Sequence, residues 1–495
     1  MQTFSKFVFV LLTLLLFSCY RKESNVKEHL VISIPSDPTK VDPVFATDLT
    51  SQKLSLLVYT GLFRTNTNAE PIAELISSYT KESKQKILFT LKDVKFPNGE
   101  SLLAKDVVFS LKRLRNTPGP KRSQYKFLQE IQAVNSQQFY LTITIPTEKA
   151  LALLSLPPAT IYSQRQFETK QKFLSAAKYY LAKWHKNDSL VLVKNPYHLS
   201  PTAIPAKITL KVVAESSIGI YLFSKEKLDA MKIPYFLIDH TVAKEHEIQK
   251  IRSRSIQYVA INQRKPCFDR FFRQAINYAI DKRLIIDKIF AGEAEFSYGP
   301  VPSSYIVKDK LNAVKLRENF YPYNLQKAHK LLQQSKCYPQ IKQQTLDFRM
   351  KADDENKAKG ASIVQFLKDL GLQVKLNPME KAIFYKQNGQ GKGDLTLLTW
   401  YIDYDSKINF LDPLFASNSF GSGGNRSFYK NTKVDNLLSK LQQEKISLNE
   451  KEQLFWQTLG ILKKDAPWVY LWSLNENYLL SNKVKELANP KQYLF

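Results

Sequence analysis

A chain of 495 residues is too long for one hydrophobic core and predicts two or three domains. Its 44% hydrophobic and 12% aromatic content excludes a disordered chain. Sustained apolar runs are absent beyond the N-terminal segment, which excludes a membrane-spanning mature protein. The formal charge of +27 points first to nucleic acid. Lys is nevertheless spread over the whole chain and forms no tail or stripe, which fits a solvated lysine-rich face and no nucleic-acid partner. The same field favours acidic ligands or an anionic membrane surface.

The N-terminus reads as an address. Lys6 supplies a positive region and Phe7 to Phe17 an apolar one, too short to span a bilayer, so residues 1–18 are expected to be a signal peptide. The run ends in Leu16-Phe17-Ser18-Cys19, which resembles the bacterial lipobox. In that motif the Cys is diacylated and becomes the mature N-terminus. Cys19 is then the lipid anchor at the outer side of the cell membrane, and residues 19–28 are a tether. A plain secreted protein with a stray Cys is the competing reading. The other two cysteines, Cys267 and Cys337, lack CxxC spacing and suggest neither a disulfide framework nor a metal site. Whether they pair is left open.

Taken in order, His29 to Pro35 predicts a strand and Ser51 to Leu62 a helix. Ile87, Phe89 and Leu91 alternate as in a half-buried strand, as do Phe139, Leu141, Ile143 and Ile145. Between them, Asp106 to Arg115 carries Val107, Val108, Leu111 and Leu114 on one helical face. Leu190 to Lys194, Ile208 to Val213 and Ser255 to Asn262 read as strands. Asp269 then predicts the N-cap of one long helix through Ile289, closed by Gly292. Lys357 to Leu370 is a helix and Gln373 to Leu376 a strand. Two further helices, Asn431 to Gln443 and Glu450 to Lys464, precede the strand Trp468 to Trp472. Strands and helices alternate throughout, so the class is α/β or mixed α+β.

One stretch organises the rest. From Gly393 to Thr399 it reads as a buried strand, and it then switches to Trp400, Tyr401, Asp403, Tyr404 and Asp405. Aromatic walls lower the dielectric around a carboxylate and leave it needing a cationic partner, from the protein or from the amino group of a ligand. A plainer role fits the same residues. Trp400 and Tyr404 would be core, Asp403 a turn residue, and Asp405 the cap of a helix from Lys407 to Phe415.

Several segments together resemble the oligopeptide-binding lipoproteins of ABC importers, the extracytoplasmic solute-binding protein family 5 of peptide- and nickel-binding type. They are Val41-Asp42-Pro43 with Gly61-Leu62, Lys95 to Glu100 with Ala104 to Ser110, and Trp184 with Leu190 to Tyr197. Asn262 to Asp269, Arg273 to Asp281, Asp412-Pro413, Asn425 and Val434-Asp435 continue the match in the same order. The resemblance implies a two-lobed periplasmic-binding-protein fold with an extra inserted subdomain. Lobe I would hold 29–59, 179–262 and 468–495, the insertion 60–178, and lobe II 263–467.

The resemblance also implies a function. An oligopeptide lies extended between the lobes, and the closed protein, a monomer, delivers it to ABC permease subunits in the membrane. One rail for the peptide main chain comes from Trp400 and Tyr401, with Tyr404 beside them, and the other from Phe45, Ala46 and Thr47. The family's carboxylate for the peptide α-ammonium stands three residues after a Trp, the place of Asp403 after Trp400. No Arg or Lys interrupts Leu395-Thr396-Leu397-Leu398, so a carboxylate anchor within that strand is missing. No cofactor or metal is implied. The same fold binding a nickel chelate, a murein peptide or another small molecule is the nearest rival. An anchored hydrolase or a chaperone is a rival of another class. Against the hydrolase, GxSxG, HExxH and P-loop motifs are absent and the six His are scattered.

Overall fold

The computed structural model describes residues 29–65, 71–198, 204–238, 240–251, 255–290, 292–306, 321–402, 406–443, 446–487 and 490–494. The expected signal and tether, Cys19, Asp403, Tyr404 and Asp405 lie outside the described residues. Among the described residues no helix is long and apolar enough to cross a membrane.

Three sheets carry the α/β architecture. The first has seven strands in the order Tyr179–His185, Ser189–Lys194, Lys207–Val212, His29–Ile34, Ala230–Ile233, Glu476–Leu480, Ile248–Ile251. His29–Ile34 lies at its centre, parallel to Lys207–Val212. The second has six strands in the order Ala294–Phe296, Trp468–Leu474, Ser255–Ile261, Leu395–Tyr401, Thr345–Lys351, Gln373–Met379. The third joins Ile76–Lys81, Lys86–Leu91, Gln138–Ile143 and Leu128–Ala133 into an antiparallel four-stranded sheet. Its strands Lys86–Leu91 and Gln138–Ile143 bury every second residue, as their alternation predicts. The helix Ala104–Asn116 belongs to the same core, with Val107, Leu111 and Leu114 buried and Asp106 accepting from the Leu103 N–H at 2.9 Å.

Ser255–Ile261 and Trp468–Leu474 are buried at every position. Pleating splits such strands between two cores. Val259, Ile261, Val469 and Leu471 enter one, and Ile256, Tyr258, Trp468 and Tyr470 the other. These two strands were expected in lobe I, yet they pair within the six-stranded sheet. The chain therefore passes between the two large sheets after Ile251 and again at Asn475, where Trp468–Leu474 gives way to Glu476–Leu480.

Two expected helices end early. The helix read as Ser51 to Leu62 spans Leu49–Val58, because Thr60–Gly61 pairs with Thr160–Ile161. The long helix expected from Asp269 to Ile289 is two, Arg270–Ala279 and Lys282–Ile289. Asp281 competes with continuation by accepting the Leu284 N–H at 3.0 Å, and Ile280 turns extended before it. Asp269 caps the first helix as expected, accepting from the Phe272 N–H at 3.0 Å. Cys267 and Cys337 form a disulfide with Cα atoms 5.2 Å apart, beside the core behind the six-stranded sheet.

Candidate functional site

A cavity of about 770 Å³ lies between the seven- and six-stranded sheets, with walls from both and from the inserted unit. The strand Leu395–Tyr401 reaches it through Leu398, Thr399, Trp400 and Tyr401. On one side this strand pairs along its whole length with Ser255–Ile261. On the other, parallel pairing with Thr345–Lys351 is confined to Phe348 with Leu395 and Arg349 with Thr396. Beyond Thr396 that edge has no partner strand among the described residues. Leu398 to Tyr401 line the cavity along that stretch, the kind of edge that accepts an added strand.

The predicted site residues separate at this point. Trp400 and Tyr401 line the cavity, and so does Thr47. Ala46 is buried, and Phe45 packs on the core of the inserted unit. The Trp400 indole N–H is buried without a hydrogen-bond partner among the described residues, and Lys121 stands 5.1 Å from its ring centre. Tyr401 Oη is 3.5 Å from Glu476 Oε1.

Charged groups line the floor, and sequence reading missed them. Glu476 lies 3.6 Å from both Lys53 and Lys232 and accepts from the Tyr478 hydroxyl at 3.2 Å. Burial alone would raise its pKa, but Lys232 and Lys53 hold it below the usual range. Lys359, 1% exposed, pairs with Glu355 at 3.0 Å and donates to Gln257 Oε1 at 3.3 Å. Against the cost of burial, Lys359, Lys232 and Lys351 hold the Glu355 carboxyl down to about 2. A carboxyl held below its ordinary 4.5 contributes stability that is complete above that pH and is lost as pH falls towards about 2. Glu355→Gln is therefore expected to flatten the acid limb of a stability-versus-pH curve in that window, by an order of 2 kcal/mol. Identical acid limbs in the two proteins would refute it.

A further pair joins the two sheets. Asp48 caps the helix Leu49–Val58, and Lys381 starts the helix Lys381–Gly389 beside the six-stranded sheet. Their side chains meet at 2.6 Å, and Lys381 also donates to Thr50 Oγ1 at 2.9 Å and the Asp37 carbonyl at 3.1 Å. Three lobe-bridging contacts from one ammonium form a clasp. Lys381→Met leaves the buried Asp48 without a counter-ion unless the cleft widens, so it is expected to favour the open form by about 1–2 kcal/mol, or five- to thirtyfold. Small-angle scattering of the ligand-free variant should show a larger radius of gyration, and an unchanged radius would refute the clasp.

These floor and clasp groups come from segments far apart in the chain. A signal existed only for Lys232, which sits in a four-residue strand otherwise buried.

The arrangement can bind and enclose a solute. The sequence profile described as bacterial extracellular solute-binding proteins, family 5, middle, matches residues 70–422. The chain is 26% identical over 490 residues to the probable D,D-dipeptide-binding periplasmic protein DdpA of Escherichia coli K12, covering 94% of this chain and 92% of that one. It is 25% identical to the glutathione-binding protein GsiB of Salmonella choleraesuis, with 89% and 88% covered. Among solved structures it is similar to the ABC transporter-associated periplasmic binding protein DppA from Helicobacter pylori in complex with the peptide STSA. The TM-score is 0.82 at 23% identity, with 92% of this chain and 94% of that chain covered.

Proposed function

Because the chain belongs to the bacterial extracellular solute-binding proteins of family 5, extracytoplasmic binding proteins of ABC importers and not enzymes, we propose that its own solute is an oligopeptide bound as an added strand. The observation that carries this reading is the edge of Leu395–Tyr401 that has no partner strand beyond Thr396 among the described residues, with Leu398 to Tyr401 lining a cavity between two lobes. Main-chain bonds to that edge give affinity independent of side chains. Asp403, three residues past Trp400, receives the α-ammonium of the peptide, and Thr47 belongs to the facing wall. The seven-stranded sheet with the inserted unit and the six-stranded sheet are the lobes that close on the ligand, turning about the two passages of the chain between them. Acylated Cys19 holds the protein at the outer face of the membrane, where it meets the permease.

Native mass spectrometry of the chain starting after Cys19 tests the ligand. It is offered tri- to pentapeptides and N-acetylated copies of them. Adducts from the free-amine peptides alone are expected. No peptide adduct would move the reading to another small solute, and indifference to acetylation would remove the ammonium site.

A further inference from the structure

Arg426 is a cation of the cavity wall that no ion pair takes up among the described residues. Arg426 lines the cavity from the loop ahead of the helix Thr432–Leu441. Its Nη1 donates to the Tyr385 carbonyl at 3.2 Å and to Asn388 Oδ1 at 3.1 Å, both neutral acceptors. The guanidinium carbon is 5.6 Å from the Tyr385 ring centre. Among the described residues no carboxylate pairs with it, and the groups acting on its charge are the phenols of Tyr258 and Tyr385. Its Nε and Nη2 protons have no partner among those residues.

Both phenols line the same cavity, and neither hydroxyl has a hydrogen-bond partner among the described residues. Tyr258 is held rigid by stacking on Trp468 at 3.5 Å between ring centres. It also sits opposite Leu398 in the strand pairing, one step from the open edge. Arg426, whose charge both phenols influence, thus shares a cavity wall with them and with Leu398 and Trp400. A partly buried guanidinium without a counter-ion is costly, and its planar fork matches a carboxylate.

We infer that Arg426, with the hydroxyls of Tyr258 and Tyr385, is a subsite for a carboxylate of the bound peptide, on an acidic side chain or at the chain end. This rests on the peptide reading above. It supplies from another segment the cation that Leu395–Leu398 lacks.

Isothermal titration tests it with tripeptides carrying Glu or Gln at each position of an Ala background, and with Ala-Ala-Ala as free acid and as C-terminal amide. The native protein is expected to prefer the acid in at least one pair by about tenfold or more. Preference in a Glu/Gln pair assigns the subsite to a side chain, and in the acid/amide pair to the chain end. In Arg426→Gln the preference should fall to within about twofold, while Arg426→Lys retains part of it. Tyr385→Phe, which keeps the ring, should lower it severalfold and serves where Arg426→Gln does not fold. Binding of every peptide without acid preference, or a preference that survives Arg426→Gln, overturns the subsite alone. No binding of any peptide overturns the peptide reading and the subsite with it.

Discussion

Asp403→Asn is expected to weaken the binding of free-amine peptides by about 100-fold or more. The cleft beside Trp400 and Tyr401 is walled by aromatics, and a peptide ammonium brought there leaves its water. A facing carboxylate repays that loss, and removing one member of such a desolvated pair costs about 2–5 kcal/mol. The amide keeps the shape and a hydrogen-bond acceptor but not the charge, so the loss reports electrostatics and not a hole. N-acetylated peptides carry no ammonium and should bind both proteins alike. Asp405→Asn is the control for a general change of local charge, and it should leave affinity within a few fold. Titration calorimetry on the three proteins decides the matter, with thermal melts to show that each is folded. A group that serves the ligand and not the fold leaves the melting midpoint nearly in place. Equal affinity of the native and Asp403→Asn proteins for free-amine peptides would sink the assignment.

The fold was legible where one physical signal dominated. Alternation marked Lys86–Leu91 and Gln138–Ile143 because one face of that sheet packs on a single core. The continuous apolar run Trp468 to Trp472 reads as a strand, and the strand Trp468–Leu474 is buried at every position. Boundaries failed where a local contact competes with a good pattern. Asp281 breaks an otherwise apolar-periodic helix by capping the next one, and Thr60–Gly61 leaves a helix to pair with a strand about a hundred positions on. Which sheet Ser255–Ile261 joins was not legible, because its pairing partners lie far away in sequence. The even spread of Lys suggests a solvated face, yet Lys359 is buried and Lys53, Lys232 and Lys351 line the cavity. Charge counted along a chain carries no information on which ammonium groups the fold draws inwards to meet a carboxylate. Likewise Arg426 stands in a Gly- and Ser-rich loop that reads only as a turn.

Glu476→Gln follows from that inward charge and is expected to cost about 3 kcal/mol of stability. Glu476 opens the strand that begins after the chain crosses between the large sheets, and its carboxylate stands between Lys53 and Lys232. Removing the negative charge leaves two ammonium groups facing one another with their shared partner gone. Breaking a buried pair from one side costs about 3–5 kcal/mol because the remaining charge is uncompensated. The low end applies, since Lys232 is 33% exposed and cleft water reaches it. Adding Lys53→Met should recover much of the loss, because it removes one of the two stranded charges, and recovery beyond additivity measures the coupling. Denaturant titration at constant slope reads both effects. The pH dependence gives an independent check. With its pKa held below 4.5, Glu476 stabilises the fold fully above that pH and less as pH falls below it, so the gap between native and variant should narrow in acid. A gap that stays constant, or a variant as stable as the native protein, would mean that the lysines find other partners or solvent, and that the carboxylate is present to position Lys232 or Tyr401 in the cleft and not to hold the lobe together.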